Sequence, residues 1–351
     1  MQSDDRPLLT IAVPTFNRSQ YLSVLLSFLA PQLKDESRVE LLISDNASTD
    51  DTQATVRRFA AEGLPLRYIR NGTNAGPDWN FLQCYEQAAG RYVWIVGDDD
   101  VIEPFGLKKV LSYLSSGEEY DLLFLRSRGF TGAYEPQVQP SSDKSILFTR
   151  AEVLACHVHV FFTFISGIIV NKKRISSLPH RPFTDLIGTG LVQLGWTYTA
   201  LEHHRRSIAI ETPVIATLTN NTGGYSLFRV FGANLGRITG EWLTSEQVKG
   251  RIIRGTLLSF FPYYLLTRET DSAGFIRDDP HKVLGPVFGG YMHYWLFDFP
   301  LIELPFKLGA IWFLMIRIVN KIDKLLGRPM LRISVFDKAP ARKSLAPAGE
   351  G

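Results

Sequence analysis

Residues 91–100 read RYVWIVGDDD, and from Tyr92 to Val96 the run is unbroken in apolar and aromatic side chains. Five such residues are too few for a helix and are of the types that favour strands. A strand apolar on both faces belongs inside a sheet covered on two sides. This one stops at Gly97 and three consecutive carboxylates, Asp98, Asp99 and Asp100, ahead of a helical stretch that opens near Pro104.

The same grammar repeats on the N-terminal side. Residues 8–13, LLTIAV, form a short apolar run ended by Pro14, and Tyr21, Leu22, Leu25, Leu26 and Leu29 then recur at helical spacing. VELLIS at 39–44 and LRYIR at 66–70 read as the second and third strands, and DLLFL from Asp121 as the fifth. Helical stretches at 52–61, 78–89 and 105–114 alternate with them. This alternation predicts an α/β fold, a mostly parallel sheet with helices on both faces. Such sheets bind ligands beyond the carboxyl ends of their strands. Here four successive strand ends carry PTFNR, DNASTDD, NGTNAG and GDDD, all rich in carboxylates, amides or hydroxyls.

Capping the next helix would need only one of the three aspartates. Three adjacent carboxylates repel one another, and a hard divalent cation, Mg2+ or Mn2+, relieves that repulsion while holding a diphosphate. Asp45, at the end of the second strand, suits either a base or ribose contact or an Asx turn. Asn17, Asn74 and Asn80 are turn residues in their own right, recommended by their position. Gly72 and Gly76 form turns but no phosphate loop.

IAVPTFNR, LLISDNASTDDT, the N-x-G of Asn74 to Gly76 and GRYVWIVGDDDVIEP together resemble the family 2 glycosyltransferases of the Rossmann-like GT-A fold. The resemblance covers roughly residues 8–128, and NAGPDWNF followed by VWIVGDDD is most similar to the bacterial O-antigen branch that includes abequosyltransferases. It implies a nucleotide-sugar donor, with Pro14, Thr15, Asn17 and Asp45 lining the nucleoside pocket and Asn74 on the donor side. It also implies Asp99 as the principal metal ligand, joined by Asp100, with Asp98 beside the diphosphate and sugar. Two departures stand out. Glycine replaces the first carboxylate of the usual D-S-D-D, and the downstream Glu-Asp pair that supplies the base of inverting members is absent. Asp185, the only carboxylate in PFTDLIGTGLVQLGW, takes its place as candidate base, or else starts a helix expected over 187–202. Glu202 is the next candidate. His157 and His159 read as hydrogen-bonded core residues or pocket flanks.

Four regions are expected: a donor-binding half at 1–130, an acceptor-side half at 131–225, a helical membrane-associating region at 226–335 and a disordered tail at 336–351. The blocks TLLSFFPYYLL, GGYMHYWLFDFPLI and LGAIWFLMI are short or interrupted against the roughly 20 apolar residues of a span. From Arg317 to Lys343 eight basic residues face two acidic ones. Apolar helices followed by a basic stretch suit an anionic membrane surface, with a helical cap and solvated tail as the alternative. The N-terminus has no apolar run of the signal-peptide kind, so the expected place is the cytoplasmic face of the cell membrane, beside a lipid-linked or other saccharide acceptor. Two cysteines provide neither a disulfide framework nor a metal pair, and a formal charge of +3 gives no ground for a nucleic-acid partner. A dehydrogenase would need G-x-G-x-x-G after the first strand, and a sugar-nucleotide pyrophosphorylase a glycine-rich, arginine-bearing loop there; PTFNRS is neither. A degenerate nucleotide-sugar binder or assembly protein stays open because the Glu-Asp pair is missing.

Overall fold

The computed structural model describes residues 6–138, 144–219, 224–268 and 278–325. The tail expected at 336–351, most of the basic stretch after Arg317 and part of the loop beyond Gly132 lie outside the described residues. The N-terminal series runs β1 (Leu9–Thr15), α1 (Ser19–Leu33), β2 (Val39–Asp45), α2 (Thr52–Ala61), β3 (Arg67–Arg70), α3 (Pro77–Gln87), β4 (Tyr92–Ile95), β5 (Val101–Ile102), α4 (Gly106–Leu114) and β6 (Leu122–Phe130). There follow β7 (Ser145–Phe148), α5 (Ala151–Val158), β8 (Ile168–Asn171), α6 (Lys172–Ile175), α7 (Gln193–Glu202) and β9 (Ser207–Leu218).

The sheet order is β3-β2-β1-β4-β8-β6-β9-β5, with β7 also pairing β9. The first four strands are parallel, as the alternation of apolar strands and helices requires. Beyond β4 the simple series is broken. β8 lies antiparallel between β4 and β6, so the fifth strand of the sequence series is not the neighbour of the fourth. Its residues Ile168, Ile169 and Val170 are buried, as in the strands it joins. β6 and β9 return to the common direction, while the short β5 and β7 oppose it. The fold is therefore a mostly parallel α/β sheet with one antiparallel insertion at its centre.

Alternation along each strand feeds two cores. Leu9, Ile11 and Val13 of β1 pack with Leu22, Leu25, Leu26 and Leu29 of α1 and with α2 and α4. Ala12 and Leu42 face the opposite side, where α3, α5, α7 and the C-terminal helices pack. The helix expected from 187 begins only at Gln193. Gly188 and Gly190 sit at φ +84 and +72, a left-handed backbone that ends any helix attempted there.

C-terminal to the sheet come α8 (Leu235–Trp242), α9 (Glu246–Ser259), α10 (Phe261–Thr267), α11 (Pro280–Phe288), α12 (Phe299–Glu303) and α13 (Phe306–Leu325). α9 lies tight against the turn at His159, because a Cβ on Gly255 would fall 2.4 Å from the His159 Cβ. No helix among the described residues is long and apolar enough to cross a membrane. α13 nevertheless leaves Leu308, Ile311, Leu314, Met315, Ile318 and Ile322 exposed.

Candidate active site

The ends of β1 and β4 meet through side chains. Thr15 donates its hydroxyl to Asp98 Oδ2 at 2.7 Å, and Arg18 Nη1 donates to Asp98 Oδ1 at 3.1 Å. The same guanidinium nitrogen lies 3.2 Å from Asp99 Oδ2, so one cation bridges two of the three carboxylates. Burial pushes the Asp98 carboxyl up to about 6; Arg18 opposes that shift and Asp99 adds to it. Asp100 is buried too, and burial, with Asp99 beside it, holds its carboxyl well above the ordinary range against a hydrogen bond from Ser166. None of the three caps α4: its N-cap is Phe105, with no side-chain cap bond.

Gly97 stands where the family pattern has a carboxylate, in a closely packed turn. A Cβ there would lie 3.0 Å from Asp99 Oδ1 and 3.5 Å from Ser166 Oγ. The Ser166 hydroxyl accepts from the Gly97 N–H at 2.9 Å, so this tight turn is tied to the segment leading into β8.

Asp45 is fully buried, and its oxygens are engaged by protein. One accepts from the Ser48 N–H, three residues on, at 2.8 Å. The other accepts from the Tyr68 hydroxyl and lies 3.6 Å from Arg70 Nε. Asn17, at φ 53, accepts from the Thr49 N–H at 2.7 Å and donates its own N–H to Ser48 Oγ, stitching the first two strand-end loops together. Asn74 accepts from Asn46 Nδ2 at 2.7 Å and from the Gly76 N–H at 2.9 Å, which ties the third loop to the second. Asn80 is buried against Ser44 and Thr15. Pro14 lies in β1, paired in register with Ser44.

Asp185 is exposed in a single 3-10 turn, Phe183–Leu186. The loop behind it is locked by Asp78 at the start of α3, which accepts from the N–H groups of Gly190 and Val192 at 2.9 and 3.3 Å. Glu202 accepts twice from Thr244, a structural pairing. His157 meets Glu211 at 2.8 Å, as a hydrogen-bonded core histidine should. Sequence reasoning passed over Arg18, Asn46, Asp78 and Ser166. Arg18 had a signal, a lone cation in PTFNR facing three carboxylates; Ser166 and Asp78 had none.

Among the described residues no three His, Cys, Asp or Glu side chains converge as a ready-made cation cage. The donor chemistry nevertheless fits a hard cation. Asp99 is the least buried of the bridged pair and borders an open cleft of about 430 Å³. Mg2+ is commonly held by one or two carboxylates together with substrate phosphates.

Residues 10–173 match the model of glycosyl transferase family 2. Abequosyltransferase RfbV of Salmonella typhimurium is 32% identical over 182 residues, covering 48% of this chain and 54% of that protein. The chain thus spans about half the length of that relative. TarS 1-349 of S. aureus in complex with UDP-GlcNAc superimposes with a TM-score of 0.57 at 18% identity, over 91% of this chain and 92% of that one. A mannosyltransferase of Pyrobaculum calidifontis in complex with GDP-Man and Mn2+ gives 0.51 at 16% identity, over 91% and 88%. At such identities the likeness is one of fold, a GT-A-like sheet with a helical C-terminal region. The strand-end loops from Thr15 to Asp100 all fall within the matched segment, and residues 10–173 are a domain of glycosyl transferase family 2.

Proposed function

We propose that the chain is a glycosyltransferase that moves a sugar from a nucleotide-sugar donor to a hydroxyl of a lipid-linked saccharide acceptor, inverting the anomeric carbon, in cell-surface polysaccharide or O-antigen synthesis. The observation that carries this is the joining of the β1 and β4 ends through Thr15, Arg18, Asp98 and Asp99. The buried Asp45 closes the neighbouring strand end. Pro14, Thr15, Asn17 and Asn74 shape the nucleoside side. Asp45 holds Tyr68, Arg70 and the turn at Ser48 in place there. Asp98 serves the ribose and diphosphate side, and Asp99 is the carboxylate open to a divalent cation, with Asp100 beneath it. When bound, that cation neutralises charge developing on the departing diphosphate. Asp185 serves as general base toward the acceptor hydroxyl, its loop fixed by Asp78. The exposed face of α13 suits a cytoplasmic membrane surface, where a lipid-linked acceptor resides.

Thermal unfolding with UDP, CDP, GDP and dTDP, each with and without Mn2+, tests the donor side. A ligand that binds the folded chain raises its Tm, by about 2.7 kcal/mol of stability at a hundredfold excess over Kd. One nucleotide should stabilise the wild type only with metal. Asp99→Ala should lose that shift, whereas Asp185→Asn should keep it and lose at least a hundredfold in transfer. The proposal fails if no nucleotide moves the wild-type Tm.

A further inference from the structure

α3 opens inside the site, and its first turn is bonded on two sides. Toward the donor loops, Asn80 donates to the Ser44 carbonyl at 3.0 Å, and Asn46 donates to the Gly76 carbonyl at 3.0 Å. On the other side stands Asp78, the acidic residue of that turn. A first-turn acid is ordinarily stabilised by its own helix. Asp78 instead reaches across to the loop from Leu186 to Val192, which carries no titratable side chain. Burial pushes its carboxyl above the ordinary range, against the N–H groups of Gly190, Val192, Gly188 and Thr189, which all favour the charged form. Four N–H groups of one loop thus converge on one carboxylate, the geometry of a backbone anion nest. The far side of the loop is held as well. Asn234 donates to the Thr189 carbonyl at 2.8 Å. The Thr189 hydroxyl donates to the Leu186 carbonyl at 2.6 Å and accepts from the Leu191 N–H at 3.1 Å. Ahead of the loop Phe183 packs edge-on against Tyr85 and Trp196, with centroids 5.4 and 5.8 Å away. Asp185 therefore sits exposed between two buried anchors, Phe183 and Leu186.

We infer that Asp78 is a positioning residue that preorganises this loop in the free protein, so that Asp185 is in place before a donor binds. The inference rests on the transferase reading with Asp185 as its base. The bonds that fix the loop come from Asp78, Asn234 and Thr189, so folding itself makes them. Ordering a loop costs conformational entropy, and a loop ordered by folding adds none of that cost to the catalytic step. Because α3 is seated on the loops of Ser44 and Gly76, the base is also held in register with the donor side. The carboxylate matters here, since an amide of the same shape presents one oxygen to the N–H groups, not two.

Amide hydrogen exchange on the full chain tests this. In the free protein the amides of Gly188, Gly190 and Val192 should be protected. Saturating UDP, CDP, GDP or dTDP with Mn2+ should change their exchange less than twofold. Asp78→Asn should speed exchange at least tenfold over residues 186–192 while the amides of β1 and β2 keep theirs. Donor cleavage supplies the functional readout, with UDP-glucose, CDP-glucose, dTDP-glucose and GDP-mannose as probes. Water must lose a proton to the base as it attacks, so Asp78→Asn should cut hydrolysis at least tenfold. Azide has no proton to lose: its nitrogen bonds to the anomeric carbon as the bond to the diphosphate breaks, and the nucleoside diphosphate leaves. Cleavage by azide should therefore survive the substitution. Loop amides that exchange freely until a nucleotide is added overturn the inference, as does an equal loss with water and with azide. Protected loop amides in a chain whose Tm no nucleotide shifts overturn the transferase reading and leave the preorganised loop standing.

Discussion

Arg18 is the residue on which the site's electrostatics turn. It lies within 3.1 Å of Asp98 and 3.2 Å of Asp99, so it supplies the positive charge that lets two adjacent carboxylates coexist. A divalent cation held by Asp99, as proposed, would compete with it for the same oxygen. Arg18→Ala should therefore lower stability by about 1–3 kcal/mol, through like-charge repulsion and a lost charged hydrogen bond, yet tighten binding of Mn2+ alone. Mn2+ titrations followed by melting check both halves, and weaker Mn2+ binding in the variant would contradict the competition. Much of this residue chemistry was legible. The three aspartates and Asp45 declare themselves by charge at strand ends. Ser166 and Asp78 did not, because an isolated serine and a helix-start aspartate carry no signal until folding brings Gly97 and the 188–192 loop against them.

At the scale of elements, periodicity worked where local residues decide the outcome. The burial of Leu22, Leu25, Leu26 and Leu29 in α1 follows directly from their spacing. The start of α7 was misjudged because the apolar pattern runs on through Gly188 and Gly190, whose positive φ is a backbone property that hydrophobicity does not record. The place of β8 was unreadable for another reason: strand order is a long-range choice, and Ile168–Asn171 is equally apolar in any slot. The C-terminal helices hold one local conflict. Asp298 is fully buried in the turn Tyr294–Asp298, and neither of its oxygens has a hydrogen-bond partner among the described residues. Burial alone raises its carboxyl well above the ordinary range. The folded chain then keeps a proton that the unfolded chain loses near pH 4, so stability falls as pH rises above that value, until the buried group itself ionises. Asp298→Asn should remove this dependence and make the variant the more stable of the two at pH 7.5, with the two melting curves converging near pH 4. Parallel curves across that range would show that Asp298 has a partner.

For the molecule as a whole, α13 sets the surface apart. Its exposed Leu308, Ile311, Leu314, Met315, Ile318 and Ile322 lie on a helix that also carries Lys307, Arg317 and Lys321. Trp312 donates to the Leu296 carbonyl at 3.1 Å, which brings the exposed Trp295 and Leu296 beside that helix. An apolar face of this extent with flanking cations should bind vesicles containing anionic lipid at low salt and release in part as salt rises. Leu314→Glu with Ile318→Glu should cut vesicle binding at least tenfold in co-sedimentation, and unchanged binding would assign the face elsewhere. The central antiparallel strand has a consequence for how the chain is made. β4 is complete by Ile95, but its second neighbour, β8, begins only at Ile168. During synthesis the β3-β2-β1-β4 half emerges first and keeps one flank of β4 unpaired while more than seventy residues are added. That flank is an open edge prone to pairing with another nascent chain. Fragments stopping between Phe148 and Ile168 should accordingly aggregate, and those that include Asn171 should gain the strand that seals it.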